Sequence, residues 1–415
     1  MRFIADFHLH SKYSRATSSQ MNLVDLDRWA KIKGIKILGS GDFTHPLWLK
    51  ELKEKLEPAE PGLFKLKDFP SENRFLLTSE VSCVYQKRGK LRKIHLILFS
   101  PSFDFAEKII SRLSPYGNLS ADGRPTLSLE AKELLKIVLS VSENCLVVPA
   151  HLMTPWFSLF GSRSGFNSLE ECFEEYSNYV FAGETGLSAN PKMLWRMPDG
   201  RKITLISNSD AHSPAHLGRE ANVFDTELSY PAIIEAIKSK NPQKFLCTIE
   251  FYPEEGKYHY DGHRNCGISL SPKETKKYNG ICPVCGKPLT IGVLNRVEQL
   301  ADRPEGFVPE NSIPFKSLIP LEEIIADALG QGVGTVEVEK EYKNLIEKFE
   351  NEFNILINIP RSDLEAVTLP EIAEGIIRAR EGKVFIEPGY DGVYGKIRIF
   401  QKGEQKSISK QGTLF

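Results

Sequence analysis

The sequence has almost no net charge, because 53 lysines and arginines offset 54 aspartates and glutamates over 415 residues. Such a chain has no global attraction to nucleic acid or to an anionic membrane, so local patches or metal ions must hold any polyanionic partner. The chain also lacks a signal-peptide pattern and any apolar run approaching about 18 residues. These absences predict a cytoplasmic protein without a membrane partner.

Cysteine is scarce as well, with seven residues, an odd number that does not suit a disulfide framework. Cys83, Cys145, Cys172 and Cys247 stand in apolar surroundings typical of reduced core cysteines. A nucleotide-binding loop is also missing, because the glycines of LGQGVG lack a following Lys-Ser or Lys-Thr. The sequence therefore excludes a disulfide scaffold and a P-loop ATPase.

Short runs rich in Ile, Leu and Val alternate with amphipathic segments from the N-terminus to Phe251. This alternation is typical of β/α units around a parallel sheet or barrel. After Phe251 the sequence turns polar and glycine-bearing, which predicts a domain boundary. We predict strands at RFIADFHLH, IKILGSG, RFLLTSEV, KIHLILFS, CLVVPAH, YVFAGET and KITLISNSD.

Side chains with metal-binding chemistry concentrate on these predicted strands, mostly at their ends, where the carboxyl ends of barrel strands converge on one face. His8 and His10 are two positions apart on the first strand, so their side chains share one face. Six of the nine histidines belong to this set. The full set is His8, His10, Asp42, His45, Glu80, His95, His151, Glu184, Asp210 and His212.

Imidazole and carboxylate groups in this pattern indicate a site for two or three divalent ions, with Zn, Mn, Mg or Fe as candidates. A glutamate such as Glu80 can bridge two ions. The alternative is that each histidine is an ordinary core or surface residue, but chance does not sort histidines by strand polarity. Ions about 4 Å apart can activate a water and clamp phosphate oxygens, so the pattern predicts phosphoester hydrolysis.

The motifs DFHLHS, GDFTH, TSEV, KIHL, VPAH and SDAH resemble, in order, those of the PHP (polymerase and histidinol phosphatase) superfamily. The resemblance implies a distorted (β/α)7 barrel over residues 1–252. It departs from the family at SKYSRA, which lacks the usual aspartate, and at SGDFTH, where either Asp42 or His45 could be the ligand. The catalytic residues that the resemblance implies are His8, His10, Glu80, His151, Asp210 and His212.

A second metal site is predicted in the segment 253–302. His263 and Cys266 form an H-x2-C pair, Cys282 and Cys285 form a C-x2-C pair, and 15 residues separate the two pairs. This spacing is typical of a tetrahedral structural zinc. His259 is the alternative to His263 as the fourth ligand.

Longer segments resemble the endonuclease Q family, namely GDFTHPLWL, GSRSGFNSLEECF, GETGLSANP, KYHYDGHRNCG and ICPVCGKPLTIGVLNRVEQLADRP. The resemblance implies an archaeal or bacterial DNA repair endonuclease with a zinc-binding module and a mostly helical α+β domain over 303–400. It also implies hydrolysis of the phosphodiester 5′ to abasic sites and to deaminated bases such as uracil, hypoxanthine and xanthine.

Two segments are predicted to bind damaged DNA. The stretch QKRGKLRK reads as a basic hairpin, and the alternative is a merely solvated hairpin face. The loop HLMTPWFSLFGSRSGF is long and aromatic, so its rings could stack on an extruded base, and core packing is the alternative. The predicted contacts are Lys87, Arg88, Lys90 and Arg92 in the hairpin, and Trp156, Phe157 and Arg163 in the loop. The loop is expected to expose Phe160 as well as these three side chains.

The C-terminal segment 401–415 is predicted to be a flexible tail. Gln411, Leu414 and Phe415 resemble the start of the motif that docks repair enzymes on the sliding clamp (PCNA), with a frayed terminus as the alternative.

Two other functions stay open at this stage. A PHP phosphatase of the histidinol-phosphate type would need neither the zinc module nor the last hundred residues. A non-catalytic DNA-binding scaffold would be expected to have a broken ligand set.

Overall fold

The computed structural model describes residues 1–401 and 403–404. The predicted clamp-binding residues Gln411, Leu414 and Phe415 lie outside the described residues, so clamp binding stays a prediction. No helix within the described ranges is both long enough and apolar enough to cross a membrane.

The structure contains strands over most of the chain. Those before residue 200 are β1 (Arg2–Asp6), β2 (Ile37–Gly39), β3 (Leu56–Pro58), β4 (Phe64–Leu66), β5 (Arg74–Lys87), β6 (Lys90–Ser100), β7 (Thr126–Leu127), β8 (Leu146–Pro149) and β9 (Ala182–Glu184). Those after it are β10 (Thr204–Ile206), β11 (Ala221–Asp225), β12 (Phe245–Glu250), β13 (Asp261–His263), β14 (Ile268–Leu270), β15 (Phe315–Ser317), β16 (Phe385–Glu387) and β17 (Lys396–Arg398).

Helices cover the sheet and fill most of the C-terminal region. The first eight are α1 (Leu23–Lys33), α2 (Pro46–Lys55), α3 (Phe103–Leu113), α4 (Ala131–Val141), α5 (Leu169–Phe173), α6 (Pro191–Leu194), α7 (Pro198–Lys202) and α8 (Tyr230–Ser239). The others are α9 (Pro272–Lys277), α10 (Val293–Leu300), α11 (Leu321–Leu329), α12 (Val336–Phe349), α13 (Glu352–Ile357), α14 (Arg361–Glu365) and α15 (Pro370–Arg380). Helices α11 to α15 confirm the mostly helical C-terminal region, while the boundaries at 252, 302 and 400 stay predictions.

A mixed sheet of 11 strands forms the body of the molecule, with the main path β15-β12-β11-β1-β2-β5-β4-β3 and with β6, β7 and β8 attached beside β5. β1, β2 and β5 are parallel neighbours. The pairs β1 with β11, β5 with β6 and β6 with β8 are antiparallel. The predicted α/β class is thus confirmed, and the antiparallel pairs make the central sheet mixed and not purely parallel.

All seven predicted strands are present, as β1, β2, β5, β6, β8, β9 and β10. Strand β1 shows how the sequence directs the two histidines that follow it. Phe3, Ala5 and Phe7 are buried in one apolar cluster. Because side chains alternate along an extended chain, His8 and His10 have the opposite parity and point to the other side.

The C-terminal helices share one continuous apolar core with the helices that cover the sheet. A buried ion pair crosses the junction, with Lys33 Nζ 2.6 Å from Glu352 Oε2. Tyr342 donates its hydroxyl to the same carboxylate at 2.7 Å. Gly34, which ends α1 with φ of 86°, leaves no room for a side chain because a Cβ there would lie 2.3 Å from Asn351 Oδ1.

Candidate functional site

The first group of metal-ligand side chains consists of His8, His10, Glu80 and Asp210, whose ligand atoms lie within 4.8 Å of one another. His10 Nε2 lies 3.1 Å from Glu80 Oε2 and 3.2 Å from Asp210 Oδ1. His8 Nε2 lies 3.3 Å from the same Glu80 oxygen. The chain that follows β1, the middle of β5 and the loop after β10 therefore meet at one point.

The second group consists of Glu80, His95 and His151. His95 Nδ1 lies 2.7 Å and His151 Nε2 lies 3.1 Å from Glu80 Oε1. The two carboxylate oxygens of Glu80 therefore face different groups, Oε2 the first and Oε1 the second. This is the arrangement expected of a carboxylate that bridges two ions.

Buried ligand atoms that lack hydrogen bonds also indicate that the first group could hold a divalent cation. His8 Nε2, His10 Nε2 and Asp210 Oδ1 are buried atoms that lie near one another, but none of them makes a contact with hydrogen-bond geometry in the described part of the chain. Buried polar atoms without partners are costly, and these three converge on one point. A bound cation would satisfy all of them, since imidazole nitrogen and carboxylate oxygen are its natural ligands.

Two carboxylates lie behind the imidazoles. Glu184 Oε1 lies 3.0 Å from His8 Nδ1, and Asp42 Oδ1 lies 3.0 Å from His10 Nδ1. Asp42 is itself held by Ser14, whose hydroxyl donates to Oδ2 at 2.9 Å. Such carboxylates accept the Nδ1–H of a metal-binding histidine and leave Nε2 free to face the ion. Asp42 and Glu184 thus lie outside both groups.

Two predicted histidine ligands also lie outside both groups. His45 is buried, stacks on Tyr13 with ring centroids 4.7 Å apart, and places Nε2 3.3 Å from the carbonyl oxygen of Ser120. His212 lies at the rim, with its ring centroid 4.6 Å from that of His10 and its side chain about a third exposed.

The backbone and the charges at this site are unusual. Asp42, His151 and Asp210 have φ values of 47°, 29° and 47°, in the left-handed region that non-glycine residues rarely adopt. Such conformations are concentrated at functional sites. Burial alone would raise the pKa of Glu80, but the electrostatic attraction of His95 and Arg124 holds it well below its ordinary value, so the carboxylate is ionised.

Arg124 is a site residue that sequence reasoning missed. Its Nη1 lies 3.0 Å from Glu80 Oε2, and its side chain is 30 % exposed. The preceding Gly123 packs so tightly that a Cβ would lie 2.2 Å from Ser14 Oγ and 2.3 Å from Asp42 Oδ2. Because Arg124 lies in a loop and follows no predicted strand, only the Gly-Arg pair in ADGRPT hinted at it.

The predicted basic hairpin exists, formed by β5 and β6 around the turn residues Arg88 and Gly89, which have φ of 53° and 70°. Arg88 and Lys90 are exposed. Lys87, by contrast, has Nζ 3.0 Å from Glu130 Oε2 and 2.8 Å from Glu174 Oε1.

Arg92 also faces inward. It is buried, donates Nη1 to the carbonyl oxygen of Gly165 and lies over the ring of Phe166 at 4.1 Å from the centroid. Of the four predicted hairpin contacts, Arg88 and Lys90 are therefore the two whose side chains are exposed and could reach DNA.

The aromatic loop lies beside the second group. Trp156 is 50 % exposed, and the Phe157 ring lies 4.7 Å from that of His95 between centroids. Arg163 is exposed. The prediction that Phe160 is exposed was wrong, because this ring is fully buried in the core.

The predicted zinc ligands come together in a third group. His263, Cys266, Cys282 and Cys285 place one ligand atom each within 4.8 Å of one another, whereas His259 is buried outside the group. Of the two histidines, His263 is therefore the one that lies with the three cysteines. Three thiols and one imidazole fit a tetrahedral structural zinc.

Solved structures resemble the whole chain. The lesion-specific endonuclease PfuEndoQ from Pyrococcus furiosus has a TM-score of 0.86, with 32 % identity and coverage of 96 % of each chain. This chain belongs to the endonuclease Q family. A second endonuclease Q structure, a complex with a 27-mer duplex substrate with an abasic lesion at the active site, has a TM-score of 0.84 and 31 % identity. The alignment with this complex covers 97 % of our chain and 98 % of the chain in the complex.

Sequence relatives extend the comparison. Uncharacterized protein YqxK of Bacillus subtilis is 27 % identical over 417 residues, which cover 96 % of this chain and 99 % of that protein. Uncharacterized protein MJ0043 of Methanocaldococcus jannaschii is 37 % identical over 252 residues, which are 59 % of this chain but only 31 % of that protein. The family described as MJ0043 C-terminal domain matches residues 320–383. The similarity of this endonuclease Q family member to known proteins therefore includes its C-terminal helices as well as its central sheet.

The zinc group in this endonuclease Q family member generates a direct test. Cys282→Ser together with Cys285→Ser should lose one tightly bound zinc and destabilise residues 256–300 locally, because ligand binding supplies folding free energy to such modules. Elemental analysis measures the zinc, and limited proteolysis locates the loss of structure. A matched double variant of buried cysteines outside the group, Cys145→Ser and Cys247→Ser, should keep the zinc. An unchanged zinc content in the first variant would refute the assignment.

Proposed function

We propose that this protein is a metal-dependent endonuclease that hydrolyses DNA 5′ to deaminated bases and abasic sites. The observation that carries the proposal is the pair of ligand groups that share Glu80 in a chain of the endonuclease Q family. A structure with 31 % identity to this chain is described with an abasic lesion at its active site. The match includes the zinc module and the C-terminal helices, which favours this reading over a small-molecule phosphatase.

The residues suit two ions. His8, His10, Glu80 and Asp210 would hold one, and Glu80, His95 and His151 would hold the other. When bound, such ions lower the pKa of a water molecule and neutralise charge on the reacting phosphate. A site so rich in imidazole favours Zn, Mn or Fe over Mg.

The residues around the ligands prepare the site for a phosphate. Asp42 and Glu184 fix the ring orientation of His10 and His8, so that both Nε2 atoms face inward. Arg124 projects a partly exposed guanidinium to Glu80, from which it can reach a phosphate oxygen as well. In our proposal, His212 stays a catalytic residue at the rim.

A cavity beside the second group could accept a base that is extruded from the duplex. A cavity of about 240 Å³ is lined by Thr154, Pro155, Tyr258, His259 and Tyr394, among others. Thr154 Oγ1 lies 3.0 Å from Nδ1 of His151, so the cavity adjoins the metal ligands. Enzymes that act at damaged bases commonly place the base in such a pocket.

The zinc module adds a basic surface. Residues 262–288 contain one acidic residue, Glu274, and its carboxylate is engaged by Ser271. The same range contains five basic residues, all of them exposed: Arg264, Lys273, Lys276, Lys277 and Lys287. This excess of exposed cations, on a chain whose net charge is −1, supports the proposal that the module binds DNA phosphates.

The primary test is cleavage of end-labelled DNA that carries a single uracil, hypoxanthine or abasic site. The metal-loaded protein should cut 5′ to each lesion, and a chelator should stop the reaction. Asp210→Asn and His8→Ala should each lower cleavage by at least about 100-fold, because each removes a ligand. His216→Ala, an exposed histidine outside both groups, is the matched control. Cleavage retained by both ligand variants would overturn the metal assignment.

Arg124 gives a second prediction. Arg124→Met should lower kcat by about 100-fold while the bound ions remain, because it removes a charge that stabilises the reacting phosphate. Arg124→Lys should recover part of the loss. Arg15→Met, which removes an 85 % exposed arginine paired with Asp122 nearby, should leave kcat unchanged. Equal kcat in the Arg124 and Arg15 variants would remove Arg124 from the mechanism.

The aromatic loop gives a third prediction. Trp156→Ala should reduce selectivity for damaged over undamaged DNA by about 1–3 kcal/mol, the usual value of a base–aromatic stack. Trp156→Phe should retain most of it. The equally exposed Phe69 provides the control Phe69→Ala. If both alanine variants discriminate as the parent does, the Trp156 ring does not contact the lesion.

The basic surface gives a fourth prediction. Replacing Lys276, Lys277 and Lys287 with glutamine should weaken DNA binding and flatten its salt dependence. The slope of log K against log[salt] should fall by about 0.9 for each phosphate that the variant no longer neutralises. A control triple variant on α12, with glutamine at Lys340, Lys343 and Lys348, should keep the parent slope. An unchanged slope in the first variant would show that DNA does not lie on the zinc module.

A further inference from the structure

One arginine connects the zinc module to the aromatic loop. Arg296, on α10, donates Nε to the carbonyl oxygen of Phe160 at 2.9 Å and Nη2 to that of Phe166 at 3.0 Å. Nη2 also donates to Asn167 Oδ1 at 2.9 Å. All three acceptors belong to residues 152–167, which we call the active-site loop because they include Trp156 and Phe157.

The position of Arg296 is fixed from the zinc side. The buried carboxylate of Asp261 accepts a hydrogen bond from the backbone N–H of Gly292 at 2.6 Å and another from Asn295 Nδ2 at 2.6 Å. These bonds hold the N-terminal turn of α10. Asp261 lies on β13 together with His263, a member of the zinc group, so the ligand strand and the helix are linked directly.

The other side of the active-site loop is attached to the catalytic face. The backbone N–H of His95 donates to the carbonyl oxygen of Phe157 at 3.0 Å, and the two rings are in contact. Ser164 joins the two arms of the loop, because its hydroxyl accepts from Phe157 N at 3.1 Å and donates to the carbonyl oxygen of Lys93 at 3.2 Å.

Arg296 differs from the other arginines at this junction. Arg201 and Arg196 form ion pairs with Asp302 and Glu298, with N–O distances of 2.6 and 2.7 Å. Arg296 forms no ion pair with a carboxylate in the ranges that the structure describes, and its three shortest hydrogen bonds go to the loop. Arg201 and Arg196 each also donate to one backbone carbonyl oxygen, that of Trp195 and of Arg303. Arg296 instead donates to two carbonyl oxygens of a single loop, and a guanidinium that does so fixes the conformation of that backbone.

We propose that the zinc module is a positioning element for the active-site loop. The zinc ligands hold β13 and α10, and Arg296 then fixes the loop that carries Trp156 and Phe157 beside the metal site. Loss of Arg296 or of the zinc therefore releases the loop without removing a ligand of either barrel ion. The expected loss of catalysis rests on the proposed function, whereas the expected release of the loop does not depend on it.

Hydrogen exchange of the full chain tests the structural half. Arg296→Met should raise amide exchange over residues 154–167 by about tenfold or more, as expected when charge-assisted hydrogen bonds are lost. Arg296→Lys should recover part of the protection, and Cys285→Ser should reproduce the rise by weakening the zinc group. Arg201→Met, which removes a different arginine of the same junction, should leave the loop unchanged. Equal loop exchange in the parent and in Arg296→Met would overturn the proposal.

Cleavage kinetics test the functional half. Arg296→Met should lower kcat/KM on lesion-containing DNA by about tenfold or more, because a misplaced positioning group is costly even when the ligands are intact. The barrel ions, measured by elemental analysis, should remain. A released loop with unchanged kcat/KM would overturn the positioning role. If the parent protein cuts no damaged DNA, the proposed function fails, and the exchange data still show whether the module holds the loop.

Discussion

The buried carboxylate of Glu80 is the constraint on which the rest of the site depends. It is 1 % exposed, and its two oxygens contact four imidazoles and one guanidinium. An ionised carboxylate is stable at such depth only with positive partners on both sides. Because β5 lies within the sheet, the chain after β1, strand β6 and the chain after β8 can each bring a histidine to it. Because Glu80 belongs to both ligand groups, its carboxylate joins these separate segments of the chain into one site.

Much of this site was predictable because its rules are local. The sequence pattern predicted that His8, His10, Glu80 and Asp210 come together, because residues two apart on an extended chain share a face and strand ends meet at one edge. Two details differ, since β1 ends at Asp6, before both histidines, and Glu80 lies in the middle of β5 and not at its end. The zinc group followed from cysteine spacing in the same way. The predicted hairpin implied the antiparallel pair of β5 and β6. The antiparallel pairs of β1 with β11 and of β6 with β8 were not predictable, because period-two patterning is the same for both strand directions.

The remaining features depend on contacts between distant segments. Arg296 binds carbonyl groups 130 and 136 residues away, and no local pattern reports such a pair. The ion pairs of Lys87, a predicted DNA contact, could not be foreseen, because its acidic partners Glu130 and Glu174 lie far along the chain. The choice between Asp42 and His45 as a ligand was left open, because sequence cannot distinguish a carboxylate that binds an ion from one that orients a histidine, as Asp42 does for His10.

The central claim is that Glu80 bridges two ions. Anomalous diffraction from crystals of the full chain soaked in Mn²⁺ tests it most directly. The account predicts two manganese peaks in the barrel, one beside each carboxylate oxygen of Glu80, and a separate zinc peak among His263 and the three cysteines. A single barrel peak, or two peaks without Glu80 between them, would contradict it.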